Sequence, residues 1–493
     1  MKRIAASFLP PIALDAHSGV PMYDQLSEWF RRAIIDGQLH AGQRVPSTRQ
    51  LARELKISRV PVLSAYEQLF AEGYLETFVG AGTCVAKSIP GQALKSAAAQ
   101  GRTTSRRAAA PMGPRNISPR VEMLRTPPQT WADTQGPFRM GVPALDHFPL
   151  STWSKLVNHH SRQPTTAQMI YGDPMGYLPL REAIARYLGT VRAVRCEAGQ
   201  ILITTGSQQG LQICAHVLLD AGAPVWIEEP GYPGARQACR TLGAELVPVP
   251  VDEEGLDVAA GINLRAQARA AYITPSHQFP LGCTMSAARR LQLLAWASRS
   301  GAWIIEDDYD SEYRFGGRPL ASLQGMDTDD RVIYVGTFSK VMFPSVRIGY
   351  VVIPKDLVSA FARVRDAFDT FSSMLYQVVL TDFIGEGHFA RHVKRMRALY
   401  AERRAALLEA IACYAGGKLE PIGTDAGVQL TALLAPGVDD VAISIAAARL
   451  GVAARPLSIS YLQPPPRGGL ILGYANVSVH EIGQGMRKLA GCL

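Results

Sequence analysis

An acid with a nearby tyrosine, and a lysine farther along, are the residues of this chain whose types and spacing could do chemistry. The apolar β-rich run 302–305 leads into Asp307 and Tyr309, and the similar run 332–335 leads into Lys340. Two strand ends that deliver these groups supply what pyridoxal 5'-phosphate (PLP) requires. Either motif alone is more typical of a capped strand end or a solvated loop lysine, so the prediction depends on finding both in this order.

The chemistry of PLP assigns a role to each group. A lysine amine forms an imine with the cofactor aldehyde, and partial desolvation lowers its pKa for that reaction. A carboxylate facing the pyridine nitrogen keeps it protonated, so that the ring acts as an electron sink. We therefore assign Lys340 to the imine, Asp307 to the pyridine nitrogen and Tyr309 to the ring oxygen. Hydroxyls and a bidentate arginine suit the phosphate, which we assign to Thr337, Ser339 and Arg347.

A further phosphate-binding turn is predicted earlier in the chain. The short strand 200–205 runs into a glycine-rich turn at 206–210 and then into an apolar helix. Backbone N–H groups and the helix dipole favour an anion at such a helix N-terminus. The pattern is common in α/β proteins, and the presence of Lys340 downstream makes it informative here. The predicted phosphate ligands are Gly206, Ser207 and Gln208.

Length and composition limit the class of protein. A chain of 493 residues with 47% hydrophobic and 19% charged residues suggests a globular protein of two or three domains. No run of eighteen apolar residues occurs, so no membrane span is expected. The seven cysteines are scattered and include no Cys-x-x-Cys pair. This favours a reducing cytoplasm and argues against a disulfide framework or a metal site.

The positive charge is concentrated at the start of the chain. Residues 1–130 hold 17 Lys and Arg against 9 Asp and Glu, a net charge of +8, whereas the whole chain carries +9. The other 363 residues are therefore nearly neutral. A basic first quarter on a neutral body suggests that this quarter binds a polyanion.

The pattern within that basic quarter is helix, helix–turn–helix and hairpin. In 22–36, apolar residues recur every four positions, as on one face of a helix. Two shorter helices follow, one capped by Ser47 and one from about Arg59 to about Glu72, and then a hairpin from Tyr74 to Val85. This order is typical of a winged helix–turn–helix that binds double-stranded DNA. A three-helix module for protein contacts is the alternative.

The residues that open the two paired helices favour DNA. Hydroxyls, helix N-termini and arginines are suited to phosphates and guanine edges. The predicted contacts are Ser47, Thr48, Arg49, Ser58 and Arg59.

The segment 304–349 resembles the fold-type I aminotransferases, and the chain resembles more closely the MocR/GabR family of bacterial regulators. Residues 45–83 are similar to the GntR winged helix, and 275–282, PSHQFPLG, to a turn of the family. The resemblance implies that Gly80 and Gly82 shape the wing. It also implies a PLP cofactor and a homodimer.

The resemblance further implies three regions and an α/β fold. Residues 18–86 would form the winged helix–turn–helix, 87–135 a flexible basic linker and 136–493 the PLP-binding domain of aminotransferase fold type I. That domain would hold a mainly parallel seven-stranded sheet and a small C-terminal subdomain. Tyr232 is expected to stack on the pyridine ring. Tyr171 is expected either to reach the phosphate of the partner subunit or to pack within its loop.

Two positions depart from the pattern of the true aminotransferases. Phe279 stands where an asparagine holds the ring oxygen, which leaves that contact to His277, Gln278 or Tyr309. Asn476 stands where an arginine binds the substrate carboxylate. The arginines that could replace it are Arg236, Arg455 and Arg467.

These observations predict a transcriptional regulator in which PLP on Lys340 senses a small ligand and alters operator binding. The ligand is an amine, an amino acid or PLP itself. The alternative is an aminotransferase whose winged helix is incidental, although the departures at Phe279 and Asn476 argue against an efficient enzyme.

Overall fold

The computed structural model describes most of the chain in two separate units. The units are Met1–Asn116 and Ile117–Leu493. The predicted linker, 87–135, lies mostly outside the described residues. These are 9–15, 17–78, 82–87, 116–122, 124, 134–316 and 321–493.

The first unit contains the predicted three helices and a hairpin. Helix α1 buries Leu26, Phe30 and Ile34 along one face, as their four-residue spacing predicts. The Ser47 hydroxyl caps the next helix by accepting a hydrogen bond from the Gln50 N–H at 3.3 Å. The elements are α1 (Met22–Ile35), α2 (Thr48–Glu54), α3 (Arg59–Ala71), β1 (Leu75–Phe78) and β2 (Gly82–Val85).

Strands β1 and β2 pair antiparallel, with Leu75 opposite Val85 and Phe78 opposite Gly82. A bridge from Arg44 to Cys84 adds a third backbone segment to this hairpin. The arrangement is the predicted wing. The tip of the hairpin, including Gly80, lies outside the described residues.

The core of the second unit is an eight-stranded sheet. Its spatial order is β3-β10-β9-β8-β7-β4-β5-β6. The apolar runs predicted as strands form its centre, where the residues are buried on both faces. The strands are β3 (Ile201–Thr204), β4 (Pro224–Glu229), β5 (Glu245–Asp252), β6 (Gly255–Leu256), β7 (Ala270–Ile273), β8 (Trp303–Asp308), β9 (Val332–Thr337) and β10 (Gly349–Val352).

The five strands from β9 to β5 run parallel, and β10 pairs antiparallel with both β9 and β3. The sheet is thus mainly parallel. The predicted seven strands are all but β6, a two-residue strand that pairs with the end of β5. Parallel order brings the carboxyl ends of β7, β8 and β9 to one edge, where loops can build a ligand site.

Helices cover both faces of this sheet. Two of them, Met374–Gly385 and His388–Ala415, follow each other directly and are separated by Glu386 and Gly387. The helices of the unit are α4 (Pro119–Glu122), α5 (Leu150–Arg162), α6 (Thr166–Met169), α7 (Leu178–Arg192), α8 (Ser207–Leu218), α9 (Pro233–Leu242), α10 (Val258–Arg265), α11 (Ala287–Ser300), α12 (Leu323–Met326), α13 (Val358–Asp369), α14 (Met374–Gly385), α15 (His388–Ala415), α16 (Asp440–Arg449) and α17 (Val479–Ala490).

The predicted C-terminal subdomain is built on a smaller antiparallel sheet in the order β11-β12-β14-β13. Leu457 and Ile471 from this subdomain pack against Phe279 of the large sheet's turn. The subdomain therefore lies beside the strand ends that carry the predicted site. Its strands are β11 (Glu420–Ile422), β12 (Gln429–Leu433), β13 (Arg455–Pro456) and β14 (Gly469–Gly473).

Candidate functional site

A cavity of about 200 Å³ lies at the carboxyl ends of β7, β8 and β9. Most of the predicted cofactor residues line it, so residues far apart in the chain meet at one place. Lining residues that were predicted are Ser207, Gln208, Tyr232, Asp307, Tyr309, Thr337, Ser339, Lys340 and Arg347.

Asp307 lies at the buried end of this cavity. The Tyr272 hydroxyl donates to its Oδ2 at 2.8 Å, whereas its Oδ1 is buried and has no hydrogen-bond partner among the described residues. Burial raises the pKa of Asp307 to about 7, against the lowering effect of the Tyr272 hydrogen bond. An unpartnered buried carboxylate oxygen calls for a donor, and a protonated pyridine nitrogen is such a donor. The site therefore fits the ring of PLP at this point.

Lys340 follows β9 and lies close to a loop from the start of the unit. Its Nζ donates to the Gly141 carbonyl at 3.1 Å. Gly141 has a φ of +76°, which favours glycine, and a Cβ there would come within 2.5 Å of that nitrogen and force the amine to shift. Burial lowers the pKa of Lys340, which raises the fraction of the nucleophilic neutral amine.

The predicted phosphate end is formed by the turn before α8 and by Arg347. The Arg347 guanidinium donates to the Thr205 carbonyl. Gly206 has a φ of +98°, and a Cβ there would come 3.1 Å from the same guanidinium. This turn places the N-terminus of α8, beginning at Ser207, beside an arginine. Such an arrangement suits a phosphate dianion.

The structure distinguishes the three candidates for the ring-oxygen contact. Gln278 is used within its own turn, where its Nε2 donates to the Pro230 carbonyl at 2.9 Å. His277 Nδ1 lies 3.0 Å from the Asp310 carboxylate and 3.1 Å from the Tyr309 hydroxyl. Tyr309 alone of the three lines the cavity, and Phe279 lines it as well.

Several lining residues were not predicted from the sequence. Tyr272 and Thr274 come from β7 and its end, and the strand-plus-turn motif at 270–282 was the available signal for both. Met140 and Gln429 come from the loop near Gly141 and from β12, where no local motif marks them.

Tyr171 and Asn476, which were singled out from the sequence, do not line this cavity. Tyr171 is 85% exposed, with its ring centroid 6.2 Å from that of Phe371. Asn476 follows β14, and its Oδ1 is buried without a hydrogen-bond partner among the described residues.

The predicted DNA contacts lie together at the N-termini of α2 and α3. Ser47, Arg49, Ser58 and Arg59 are exposed. The Arg59 Nε donates to the Thr48 hydroxyl at 3.2 Å, which joins the two helix starts. The structure therefore presents two arginines and three hydroxyls at two helix N-termini.

Comparisons with known proteins define the class of each unit. Residues 22–85 match the family "Bacterial regulatory proteins, gntR family", and residues 138–489 match "Aminotransferase class I and II". The crystal structure of LysN, an alpha-aminoadipate aminotransferase from Thermus thermophilus complexed with N-(5'-phosphopyridoxyl)-L-leucine, is 28% identical, with a TM-score of 0.71. It covers 76% of this chain and 97% of its own. The second unit is thus an aminotransferase-type domain, for which PLP is the expected cofactor.

Full-length relatives join the same two domains. The probable rhizopine catabolism regulatory protein MocR of Rhizobium meliloti is 40% identical over 97% of this chain and 95% of its own length. The pyridoxine biosynthesis transcriptional regulator PdxR of Corynebacterium glutamicum is 33% identical over 94% of each. The chain belongs to the MocR/GabR family of GntR-type transcriptional regulators.

No helix in the described parts of the chain is both long and apolar enough to cross a membrane.

Proposed function

We propose that this chain is a PLP-dependent transcriptional regulator that binds an operator through its winged helix and a small effector at the PLP cavity. The observation that carries the proposal is the pairing of Asp307, with its unpartnered buried Oδ1, and the partly buried amine of Lys340 in one cavity. The family relationship supports the part of the proposal that concerns DNA binding. In this proposal the protein works in the cytoplasm, where its DNA target lies.

The residues of the cavity have distinct tasks in this proposal. When bound, PLP supplies an aldehyde that reacts with primary amines and a ring that withdraws electrons. Lys340 supplies the amine that attaches the cofactor, and Asp307 holds a proton at the pyridine nitrogen. Tyr309 binds the ring oxygen, and Tyr232 covers one ring face. The phosphate ligands are Gly206, Ser207, Gln208, Thr337, Ser339 and Arg347, with Tyr171 from the partner subunit.

Coupling requires that the effector bind two states of the protein with different affinity. The effector is an amine, an amino acid or PLP itself. Measurements of operator affinity test these three candidate effectors. A duplex selected by the wild-type chain is titrated with PLP-free protein, with PLP-loaded protein, and with PLP-loaded protein plus amines. A shift on PLP loading alone identifies PLP as the signal, and a further shift with an amine identifies an amine effector. Equal affinity in every arm would contradict the proposal.

An apolar groove next to the cavity supports a homodimer. Leu150 and Trp153 line the groove together with Phe343. Pro344, the neighbour of Phe343, lines the cofactor cavity, so the groove borders the site. Tyr171 is largely exposed, and it follows shortly after α5, the helix that carries Leu150 and Trp153. A partner subunit packed on this groove would cover the apolar side chains and bring its own Tyr171 towards the site.

Leu150→Asp is expected to raise the dimer dissociation constant by about 10-fold or more, because it places a charge at a buried interface. Leu150 is 64% exposed in the single chain. Leu264, 55% exposed on α10, provides the matched control as Leu264→Asp. Sedimentation velocity over a concentration series measures the constant. An unchanged dimer in the Leu150 variant would place the interface elsewhere.

The second candidate function is slow transamination. The cavity contains the partly buried lysine and the acid that an aminotransferase uses, and the domain resembles such an enzyme throughout. Steady-state turnover with an amino acid and a keto acid, measured beside operator binding, separates the two functions.

A further inference from the structure

His277 is a buried histidine beside the cofactor cavity, and the proposed function gives it no task. It lies in the turn after β7 and is 4% exposed. The Asp310 carboxylate oxygens lie 3.0 and 3.1 Å from its Nδ1, and the Tyr309 hydroxyl lies 3.1 Å from the same nitrogen. One ring nitrogen thus joins a buried acid to the tyrosine that lines the cavity.

The two neighbours of this nitrogen determine where its proton lies. A carboxylate only accepts hydrogen bonds, and within the described residues His277 is the one donor to the Asp310 side chain. Nδ1 therefore carries a proton, because the buried carboxylate would otherwise have no donor. A protonated Nδ1 cannot accept from the Tyr309 hydroxyl, so the proton of that hydroxyl points away from His277. The cavity, which Tyr309 lines, is the direction left for it.

Packing fixes the orientation of the His277 ring. Gly427, which lies between β11 and β12, has a φ of +89°. A Cβ at this position would come 2.6 Å from His277 Nδ1 and 2.7 Å from Asp310 Oδ2. The backbone of the C-terminal subdomain therefore closes over the pair, and neither side chain can turn away from Tyr309 without displacing it.

The charges around this pair act on the residues of the cavity. Burial raises the pKa of Tyr309 well above its ordinary value, and four carboxylates raise it further, namely Asp310, Asp307, Glu228 and Asp308. Tyr309 therefore keeps its proton and serves as a hydrogen-bond donor. Burial lowers the pKa of Lys340, and the Asp310 charge opposes that change. The acid behind His277 is thus felt at both residues that would contact the reactive end of PLP.

Tyr309 has no second donor to help it at the ring oxygen. Gln278 is used within its own turn, and Phe279, which lines the cavity, has no polar side-chain atom. A hydroxyl rotates freely, so a single hydroxyl donor is effective only when its proton is directed.

We propose that His277, held by Asp310, is a positioning residue that directs the Tyr309 hydroxyl proton to the ring oxygen of PLP. The inference rests on the proposed function, in which PLP is attached to Lys340 in this cavity. A donor at the ring oxygen stabilises negative charge there. It thereby weakens the hold of this oxygen on the proton of the nitrogen that joins Lys340 to the cofactor. The proton affinity of that nitrogen should therefore depend on His277, and only through Tyr309.

The test measures the pH at the midpoint of the change in the visible band of bound PLP. In the PLP-loaded full chain, His277→Leu is expected to raise this midpoint by about one unit, because a directed hydrogen bond to a charged oxygen contributes about a factor of 10. Tyr309→Phe removes the donor itself and should raise the midpoint by at least as much. The double variant should match Tyr309→Phe alone, since His277 then has no hydroxyl to direct.

A rescue variant and a control distinguish positioning from general damage. His277→Asn places an amide N–H near the position of the lost Nδ1–H and should return the midpoint towards the wild-type value. His480→Leu, which removes an exposed histidine on α17, should leave it unchanged. If His277→Leu does not fold, His277→Gln, whose amide extends past the Nδ1 position, carries the same expectation.

The outcomes separate this inference from the proposed function. A wild-type chain that holds PLP, but whose band does not change with pH or keeps its midpoint in His277→Leu, overturns the role of His277 alone. A shift that adds to that of Tyr309→Phe in the double variant, or that persists in His277→Asn, overturns it as well. A wild-type chain that holds no PLP overturns the proposed function together with this inference.

Discussion

Replacing Asp307 by asparagine is expected to weaken PLP binding by about 100-fold, because the pyridine nitrogen loses its charged hydrogen-bond partner. The Tyr272 hydroxyl can still donate to the asparagine oxygen, so the pocket keeps its shape. Titration of the PLP-free chain with PLP, followed by visible absorbance, measures the change. Asp356→Asn, an exposed acid outside the cavity, is the control and should bind PLP as the wild type does.

The same substitution should change how the stability of the PLP-free chain depends on pH. The folded pKa of Asp307, about 7, lies above the ordinary value of 3.8. The stability associated with the protonated acid is therefore present below about pH 4 and is lost as pH rises through 7. The difference is on the order of 4 kcal/mol for this group.

Glu228 is also buried with a raised pKa of about 7, and it is present in both proteins. In Asp307→Asn the contribution of Asp307 disappears and that of Glu228 becomes smaller, because the Asp307 charge helps to raise the pKa of Glu228. Urea unfolding of both PLP-free proteins at pH 5 and pH 8 should show a smaller loss of unfolding free energy in the variant. An equal loss in the two proteins, or an unchanged PLP affinity, would contradict the assignment of Asp307.

Replacing Arg49 and Arg59 together by alanine is expected to lower operator affinity by about 100-fold. Both arginines are exposed at helix N-termini, where they can contact phosphates or base edges. Each lost phosphate contact also reduces the slope of log affinity against log salt by about one. Fluorescence anisotropy over a salt series measures affinity and slope in one experiment.

A matched control comes from the same unit. Arg32 on α1 is exposed and pairs with Glu28 on its own helix at 2.8 Å. Arg32→Ala removes one positive charge from a different helix, against two in the double variant, and is expected to change affinity by much less than half as much on a logarithmic scale. If the Arg32 variant loses as much affinity and slope as the double variant, the interaction is a general charge effect and the predicted DNA face is wrong.

The elements that carry the site could be predicted because their signals are local. Buried parallel strands have continuous apolar runs, and the polar residues at the carboxyl ends of β8 and β9 had to meet at one sheet edge. The Ser47 cap and the four-residue spacing in α1 also depend only on neighbouring residues. These features gave the positions of Asp307 and Lys340 within the fold.

The rest of the site depends on contacts between distant parts of the chain. The carbonyl that accepts from Lys340 belongs to Gly141, 199 positions earlier. Gln429 reaches the cavity from the C-terminal sheet, and Tyr272 bonds Asp307 from another strand. No local pattern predicts that His277 lies against Asp310, 33 positions later, because the two side chains meet only through the fold.

The most direct test of the account is the place where PLP attaches. The PLP-loaded chain is reduced with borohydride and digested, and the peptides are analysed by mass spectrometry. The account predicts a phosphopyridoxyl group on Lys340, and no labelled peptide or visible absorbance band in a Lys340→Ala variant that remains folded. A label on another lysine, or a band that persists in that variant, would contradict it.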